Sequence, residues 1–200
     1  MFSDGVFAIV ITLLVLELRV PEHEPGELAT TLAHEWPSYL AFLVSFIYIG
    51  VIWLNHHALF QHIKYMDLGF HWVNLGILLG TVILPFPTEV LADALASSSA
   101  LADERVAVAL YAFTATLMSA SWLAAFRYLH THPNLLEDST HQDYARAQRV
   151  RPITGITLYS VSGIASWFIH PIAGLICIIA MIAYHAFTSE GLLERVPSNG

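Results

Sequence analysis

Six long apolar stretches alternate with polar connections along this chain of 200 residues. A membrane-spanning helix needs about 20 mostly apolar residues, and each stretch comes close to that length. The pattern therefore predicts an all-α integral membrane protein with six transmembrane helices. The predicted spans run approximately over Phe2–Leu18, Tyr39–Phe60, Leu68–Phe86, Val106–Leu129, Ile153–Phe168 and Pro171–Phe187.

Prolines mark several of the predicted boundaries. Pro37 and Pro152 precede or open the second and fifth spans, where a missing backbone N–H is tolerated. The sequence Pro85-Phe86-Pro87 predicts the end of the third span. Because His170-Pro171 leaves almost no connection between the last two spans, we expect them to form a tight hairpin.

The polar connections are predicted at 19–37, 90–104 and 130–151, outside the spans. Residues 1–189 are expected to form one six-helix transmembrane domain, and residues 190–200 a short cytoplasmic tail.

Composition strengthens the membrane assignment. The chain is 56% hydrophobic and 12% charged, whereas a soluble domain usually carries about 25% charged residues. A formal net charge of −8 and the lack of a basic stripe argue against a nucleic-acid partner. The single cysteine, Cys177, excludes an intrachain disulfide.

Basic residues indicate the orientation in the bilayer. Six alternating spans place both termini on one side, together with six of the eight Lys and Arg residues, so both termini are expected in the cytoplasm. The other side would then carry nine acids and two bases, a surface that attracts cations. Acidic loops are also ordinary solvated surface, so this charge balance alone does not establish a function. The nine acids are Glu17, Glu22, Glu24, Glu27, Glu35, Glu89, Asp93, Asp103 and Glu104.

The first span has two chemically different faces. At about 100° per residue, one narrow stripe is aliphatic and aromatic, with Thr12 at its edge. Such a stripe is usually helix packing or lipid contact, although an apolar constriction can also gate a pore. Asp4 lies on another face, and an acid in a membrane helix needs a partner. The stripe consists of Phe2, Gly5, Ile9, Leu13 and Leu16.

Polar side chains also interrupt the second and third spans, at Trp53, Asn55-His56-His57 and Asn74. These groups need partners on neighbouring helices, which favours a structural hydrogen-bond network. Adjacent histidines point about 100° apart on a helix, and the His-Glu-x-x-His spacing of helical zinc sites is absent, so no metal site is predicted. The motifs of common hydrolases and phosphate-binding loops are also absent, so no enzyme activity or cofactor is expected.

The residues from Phe2-Ser3-Asp4 through Leu16 resemble the first helix of the transmembrane protein 175 family. This family comprises the lysosomal potassium channels of animals and their bacterial and archaeal homologues. The segments around Trp53 to His57, around Asn74 and at Leu84-Pro85-Phe86 are also similar to that family. The specific motifs cover about the first 90 residues, and the remainder matches mainly in its pattern of spans.

The resemblance implies a potassium-over-sodium selective channel in a prokaryotic plasma membrane, assembled as a homotetramer. It implies that the first helices line a central pore with its constriction at Ile9. Further pore-facing layers would then fall on Thr12 or Leu13, and on Leu16. By the same resemblance, Ser3 and Asp4 would tie the first helix to its neighbours. The candidate partners for this tie are Trp53, His57 and Asn74.

Other classes of function remain open from the sequence. A proton-coupled transporter could use Asp4 and the histidines as a relay, although no inverted repeat or broken helix is evident. A proton-permeable channel is a variant of the potassium channel. A structural membrane subunit would expose the aliphatic stripe to lipid.

Overall fold

A computed structural model describes residues 2–96, 100–137 and 148–189 of the chain. The predicted tail at 190–200 lies outside these residues. The fold within the described ranges is a bundle of α-helices with two short 3₁₀ turns, at Leu14–Glu17 and Pro133–Leu135. The α-helices, numbered along the chain, are α1 (Phe2–Leu13), α2 (Leu28–His34), α3 (Trp36–Gln61), α4 (Leu68–Ile83), α5 (Pro85–Ala96), α6 (Leu101–Thr131), α7 (Val150–Phe168) and α8 (Pro171–Phe187).

Every predicted span has a helical counterpart. Within the described residues, three helical stretches meet the length and apolarity needed to cross a membrane. These three are Trp36–Gln61, Leu68–Ala96 and Leu101–Thr131. The last predicted span, Pro171–Phe187, is a shorter apolar helix whose bounds match the prediction. The first predicted span ends its regular helix at Leu13 and continues as a 3₁₀ turn to Glu17.

The prediction that the third span ends at Pro85-Phe86-Pro87 is wrong. Leu84 alone separates α4 from α5, and α5 begins at Pro85 and continues to Ala96. Both prolines fall in the first turn of α5, where backbone N–H groups have no partner within the helix. Their missing N–H groups therefore remove no helical hydrogen bond. Part of the predicted connection at 90–104 is therefore helical, and α6 begins early, at Leu101.

Buried hydrogen bonds and close contacts position the helices around α6, which contacts α4, α5, α7 and α8. The Tyr111 hydroxyl of α6 lies 3.0 Å from Ser45 Oγ of α3, which in turn lies 2.7 Å from Thr88 Oγ1 of α5. All three side chains are buried. A buried hydroxyl without a partner is costly, so this cluster fixes α3, α5 and α6 relative to one another.

The predicted hairpin between the last two spans is present as α7 and α8. The His170 Nδ1 atom accepts a hydrogen bond from the backbone N–H of Ile172 and thereby caps α8. Gly174 allows the two helices to approach closely, since a Cβ there would lie 2.6 Å from the Ser162 carbonyl oxygen. Small residues are the usual means by which membrane helices come into direct backbone contact.

Candidate functional site

The aliphatic stripe predicted on the first helix lies on the outside of the protomer. Ile9 is 59% exposed and Leu16 is 68% exposed, and Leu13 is also exposed. The opposite face of the same segment is buried against the bundle, with Phe7, Val10 and Leu14 almost inaccessible. The buried face fixes the rotation of α1, so the exposed stripe is left for lipid or for other copies of the chain.

Thr12 lies beside this stripe and is also exposed. Its hydroxyl donates a hydrogen bond to the carbonyl oxygen of Ile9 at 2.8 Å. Because the hydroxyl proton points to the backbone, the oxygen retains lone pairs that can accept. Thr12 therefore presents an oxygen of the kind that alkali cations contact, one turn from Ile9.

The first residues of α1 are tied to α4 and α3. Asn74 Nδ2 of α4 donates to Ser3 Oγ at 3.3 Å, and Asn74 Oδ1 lies 2.9 Å from His56 Nε2 of α3. Trp53 Nε1 of α3 donates to Asp4 Oδ1 at 3.3 Å. Ser3, Asp4, Trp53 and Asn74 are thus brought together, as the sequence analysis anticipated for the tie between helices.

The histidine that hydrogen-bonds to Asn74 is His56, which the sequence analysis did not select. The ring of His56 is buried, stacked on Phe60 at a centroid distance of 4.2 Å and edge-on to Phe7 at 5.2 Å. His57, the residue that was selected, points elsewhere, and its exposed ring lies 5.9 Å from that of Trp53. His56 and Phe60 are four residues apart, so their rings can stack on one face of α3, but this spacing does not say which face is buried.

The other end of the α1 segment is tied to α5. The Arg19 guanidinium forms an ion pair with the Glu89 carboxylate, and both side chains remain partly exposed to solvent. Beside this pair is a cavity of about 750 Å³ whose charged lining residues are mostly acidic. These charged lining residues are Glu17, Arg19, Glu35, Glu89, Asp93 and Asp103.

Among the residues that the structure describes, no three His, Cys, Asp or Glu side chains are placed to hold one metal ion. What the site offers is an apolar exposed stripe, one hydroxyl oxygen and an acidic cavity at the far end of the same helix.

Comparisons with known proteins all indicate the same family. The family model for the endosomal/lysosomal potassium channel TMEM175 matches residues 1–85. A potassium channel of Streptomyces collinus is 37% identical over 162 residues, which cover 80% of this chain and 77% of the relative. A potassium channel of Chamaesiphon minutus is 38% identical over 173 residues, covering 83% of each chain.

The fold is also that of a solved member. The crystal structure of a lysosomal potassium-selective channel TMEM175 homologue from Chamaesiphon minutus superposes with a TM-score of 0.81 at 35% identity, covering 94% of this chain and 95% of that one. The motif at the start of α1, the extent of the sequence match and the agreement in fold lead to one conclusion: this chain belongs to the TMEM175 family.

Proposed function

We propose that this protein is a potassium-selective cation channel, formed by four copies of the chain around a pore lined by the α1 helices. The observation that carries this proposal is the exposed stripe of Ile9, Leu13 and Leu16 on a helix whose other face is buried. An isolated protomer leaves this ladder uncovered, and a ring of four copies would bring four ladders face to face. The potassium channels among its relatives support potassium as the permeant ion.

The proposed mechanism is passive permeation through a hydrophobic constriction at Ile9. A narrow apolar ring disfavours water, so a cation must shed part of its hydration shell to pass. Potassium holds its water less tightly than sodium does and therefore has the lower barrier. The Thr12 hydroxyl oxygen, one turn further along, would replace part of the lost hydration. No cofactor takes part in this mechanism.

We assign both termini to the cytoplasm of a prokaryotic cell, with the bundle in the plasma membrane. In this orientation the acidic cavity next to Arg19 and Glu89 faces outward. A concave surface with excess negative charge raises the local cation concentration and the rate of ion arrival. The acids would therefore supply ions to the pore, and the apolar ring would select among them.

The test is potassium and sodium flux through the purified protein in lipid vesicles. We expect Ile9→Asn to raise conductance and to relax the preference for potassium. The reason is that an amide can solvate ions that a constriction formed by four isoleucine side chains excludes. Ile9→Ala should widen the constriction and change conductance and selectivity in the same direction as Ile9→Asn. A matched control is Ile164→Asn on α7, since Ile164 has the same 59% exposure.

Unchanged conductance and selectivity in Ile9→Asn would show that Ile9 is not the constriction. The same vesicles, loaded with a pH-sensitive dye, test the two alternatives. Saturable flux driven by a pH gradient would replace the channel with a proton-coupled transporter. A proton current without saturation would add protons to the permeant ions.

A further inference from the structure

The ion pair between Arg19 and Glu89 lies where the α1 segment ends. The backbone leaves helical geometry after Glu17, and Leu18 is extended, with φ −82° and ψ 99°. Leu14 is the fully buried side chain in the 3₁₀ turn at Leu14–Glu17. The outer end of α1 is therefore held by the buried Leu14, by the contact that Arg19 makes with α5, and by Glu17, whose carboxyl group interacts with that of Glu89.

Glu89 is the rigid partner in this pair. It follows Thr88, whose hydroxyl donates to the Leu84 carbonyl at 2.7 Å and lies 2.7 Å from Ser45 Oγ. Thr88 and Ser45 are buried in the core, and Tyr111 extends the same cluster into α6. Arg19, in contrast, is on an irregular segment and its side chain is 73% exposed. The position of the guanidinium therefore follows from that of Glu89.

The placement of this one positive charge matters because of its surroundings. Arg19 and the acids Glu17, Glu35, Asp93 and Asp103 line the same cavity. Charged groups that line one solvent-filled cavity interact strongly at low ionic strength and weakly at high ionic strength. An arginine released from Glu89 could swing into the acidic cavity or toward the end of α1.

We propose that Glu89 is a positioning residue that holds the Arg19 guanidinium against α5 and keeps its positive charge away from the outer mouth of the pore. This inference rests on the proposed channel function and assigns a role to a pair outside the pore-lining stripe. An exposed ion pair contributes little to folding stability, so the role of this pair lies in where it places charge.

The experiment is a charge cycle measured as single-channel potassium conductance in planar bilayers at low ionic strength. Glu89→Gln removes one negative charge and also releases Arg19. The control, Glu22→Gln, removes one negative charge from an exposed position in the loop that follows the α1 segment, and Glu22 is not a member of the pair. We expect Glu89→Gln to reduce inward conductance by about twofold or more beyond the control, as focusing of cations by local charge requires.

Two further variants separate charge placement from damage to the fold. Arg19→Gln combined with Glu89→Gln removes the released cation and should restore inward conductance to within the range of the Glu22→Gln control. The exchange of Arg19→Glu with Glu89→Arg rebuilds the pair with reversed polarity and should also recover conductance. At a Debye length of about 3 Å, in about 1 M impermeant salt, the deficit of Glu89→Gln should disappear.

The inference is overturned if Glu89→Gln behaves like Glu22→Gln, if the conductance deficit of Glu89→Gln remains in the Arg19→Gln, Glu89→Gln double variant, or if that deficit persists in high salt. Failure of the wild-type protein to conduct potassium at all would instead refute the proposed function. The two failures are therefore distinguishable in one set of recordings.

Discussion

At the scale of single residues, the contact between His56 and Asn74 joins three helices. The Asn74 side-chain oxygen is hydrogen-bonded to the His56 ring of α3, and the Asn74 side-chain nitrogen donates to the Ser3 hydroxyl of α1. An amide placed in this way uses both of its chemical functions and cannot be replaced by an apolar side chain of similar size. The start of α1 is consequently held by a few polar atoms within an apolar bundle.

Replacing His56 by leucine should lower stability by about 1–3 kcal/mol, because the Asn74 amide would lose a buried partner. The measurement is the thermal unfolding midpoint of the purified protein in detergent. His57→Leu is the matched control, since His57 is exposed, and it should leave the midpoint nearly unchanged. Equal losses in the two variants would contradict the assignment of His56 as the buried member.

Gly69 and Gly76 in α4 offer a second matched pair. A Cβ at Gly69 would lie 2.1 Å from the Tyr128 hydroxyl and 2.7 Å from the ring carbon that carries it. A Cβ at Gly76 would meet its nearest atom, Ser121 Oγ, at 3.7 Å.

Gly69→Ala should therefore destabilise the bundle by about 1–3 kcal/mol through overpacking. Gly76→Ala should be neutral or stabilising by up to about 1 kcal/mol, since alanine is the better helix former. Denaturant or thermal titration of both variants checks the prediction. A Gly69→Ala variant as stable as Gly76→Ala would show that Tyr128 moves aside freely.

At this scale the sequence indicated which polar residues need partners, but it did not indicate which of two adjacent histidines faces the helix interface. Ser3 and Asp4 were selected through the family resemblance, and Trp53 and Asn74 were candidate partners because polar groups in apolar helices need one another. The choice between His56 and His57 depends on the rotation of α3 about its axis. Since α3 is apolar around most of its circumference, the sequence contains no stripe from which that rotation could be read.

At the scale of helices, α4 begins with a complete N-terminal cap. Asp67 Oδ1 accepts a hydrogen bond from the Phe70 backbone N–H at 2.7 Å, and Oδ2 accepts from the Tyr128 hydroxyl at 2.8 Å. The bond from Phe70 is the main cause of a lowered pKa at Asp67, and the Tyr128 bond acts in the same direction. Ionised Asp67 thus stabilises the start of α4.

The sign of the pH effect follows from the lowered pKa. Stability contributed by Asp67 is present above its usual pKa of 3.8 and is lost as the pH falls through the lower folded value. We expect the unfolding midpoint of the wild type to fall more steeply below about pH 4 than that of Asp67→Asn, which caps without titrating. Parallel curves for the two proteins would show that the cap does not depend on ionisation.

Helix boundaries show the limits of local signals. The prolines at 85 and 87 were expected to end the third span, but they open α5 instead, because a proline is acceptable in the first turn of a helix. Sequence alone cannot distinguish a break from a restart when the next residues are good helix formers. The hairpin at His170-Pro171 was predicted with correct bounds because no residues are left there for an alternative connection.

At the scale of the whole molecule, the proposed tetramer makes a direct prediction. In a Cys177→Ser background, four Ile9→Cys side chains would lie close together around the pore axis. Silver ions should then abolish the potassium conductance of Ile9→Cys, because soft thiolate ligands bind such ions tightly. Ile164→Cys, equally exposed on α7, should remain insensitive.

Native mass spectrometry of the same protein should give the mass of four chains. A monomeric mass, or equal silver sensitivity at Ile9→Cys and Ile164→Cys, would place the α1 stripe against lipid and contradict the pore. The number of chains is a property that no single sequence position encodes. It depends on the angle between neighbouring protomers, which is why the sequence supports it only through family resemblance.

The 3₁₀ turn at Leu14–Glu17 follows the regular helix α1 and has a different rise and pitch. Such a turn advances about 2.0 Å per residue with three residues per turn, against 1.5 Å and 3.6 residues in an α-helix. An insertion or deletion within the turn would shift Leu16 and leave the level of Ile9 unchanged. One inserted residue between Asp4 and Ile9 would instead rotate Ile9, the proposed constriction residue, by about 100°. Length variation among homologous chains should therefore be tolerated after Leu13 and excluded before Ile9.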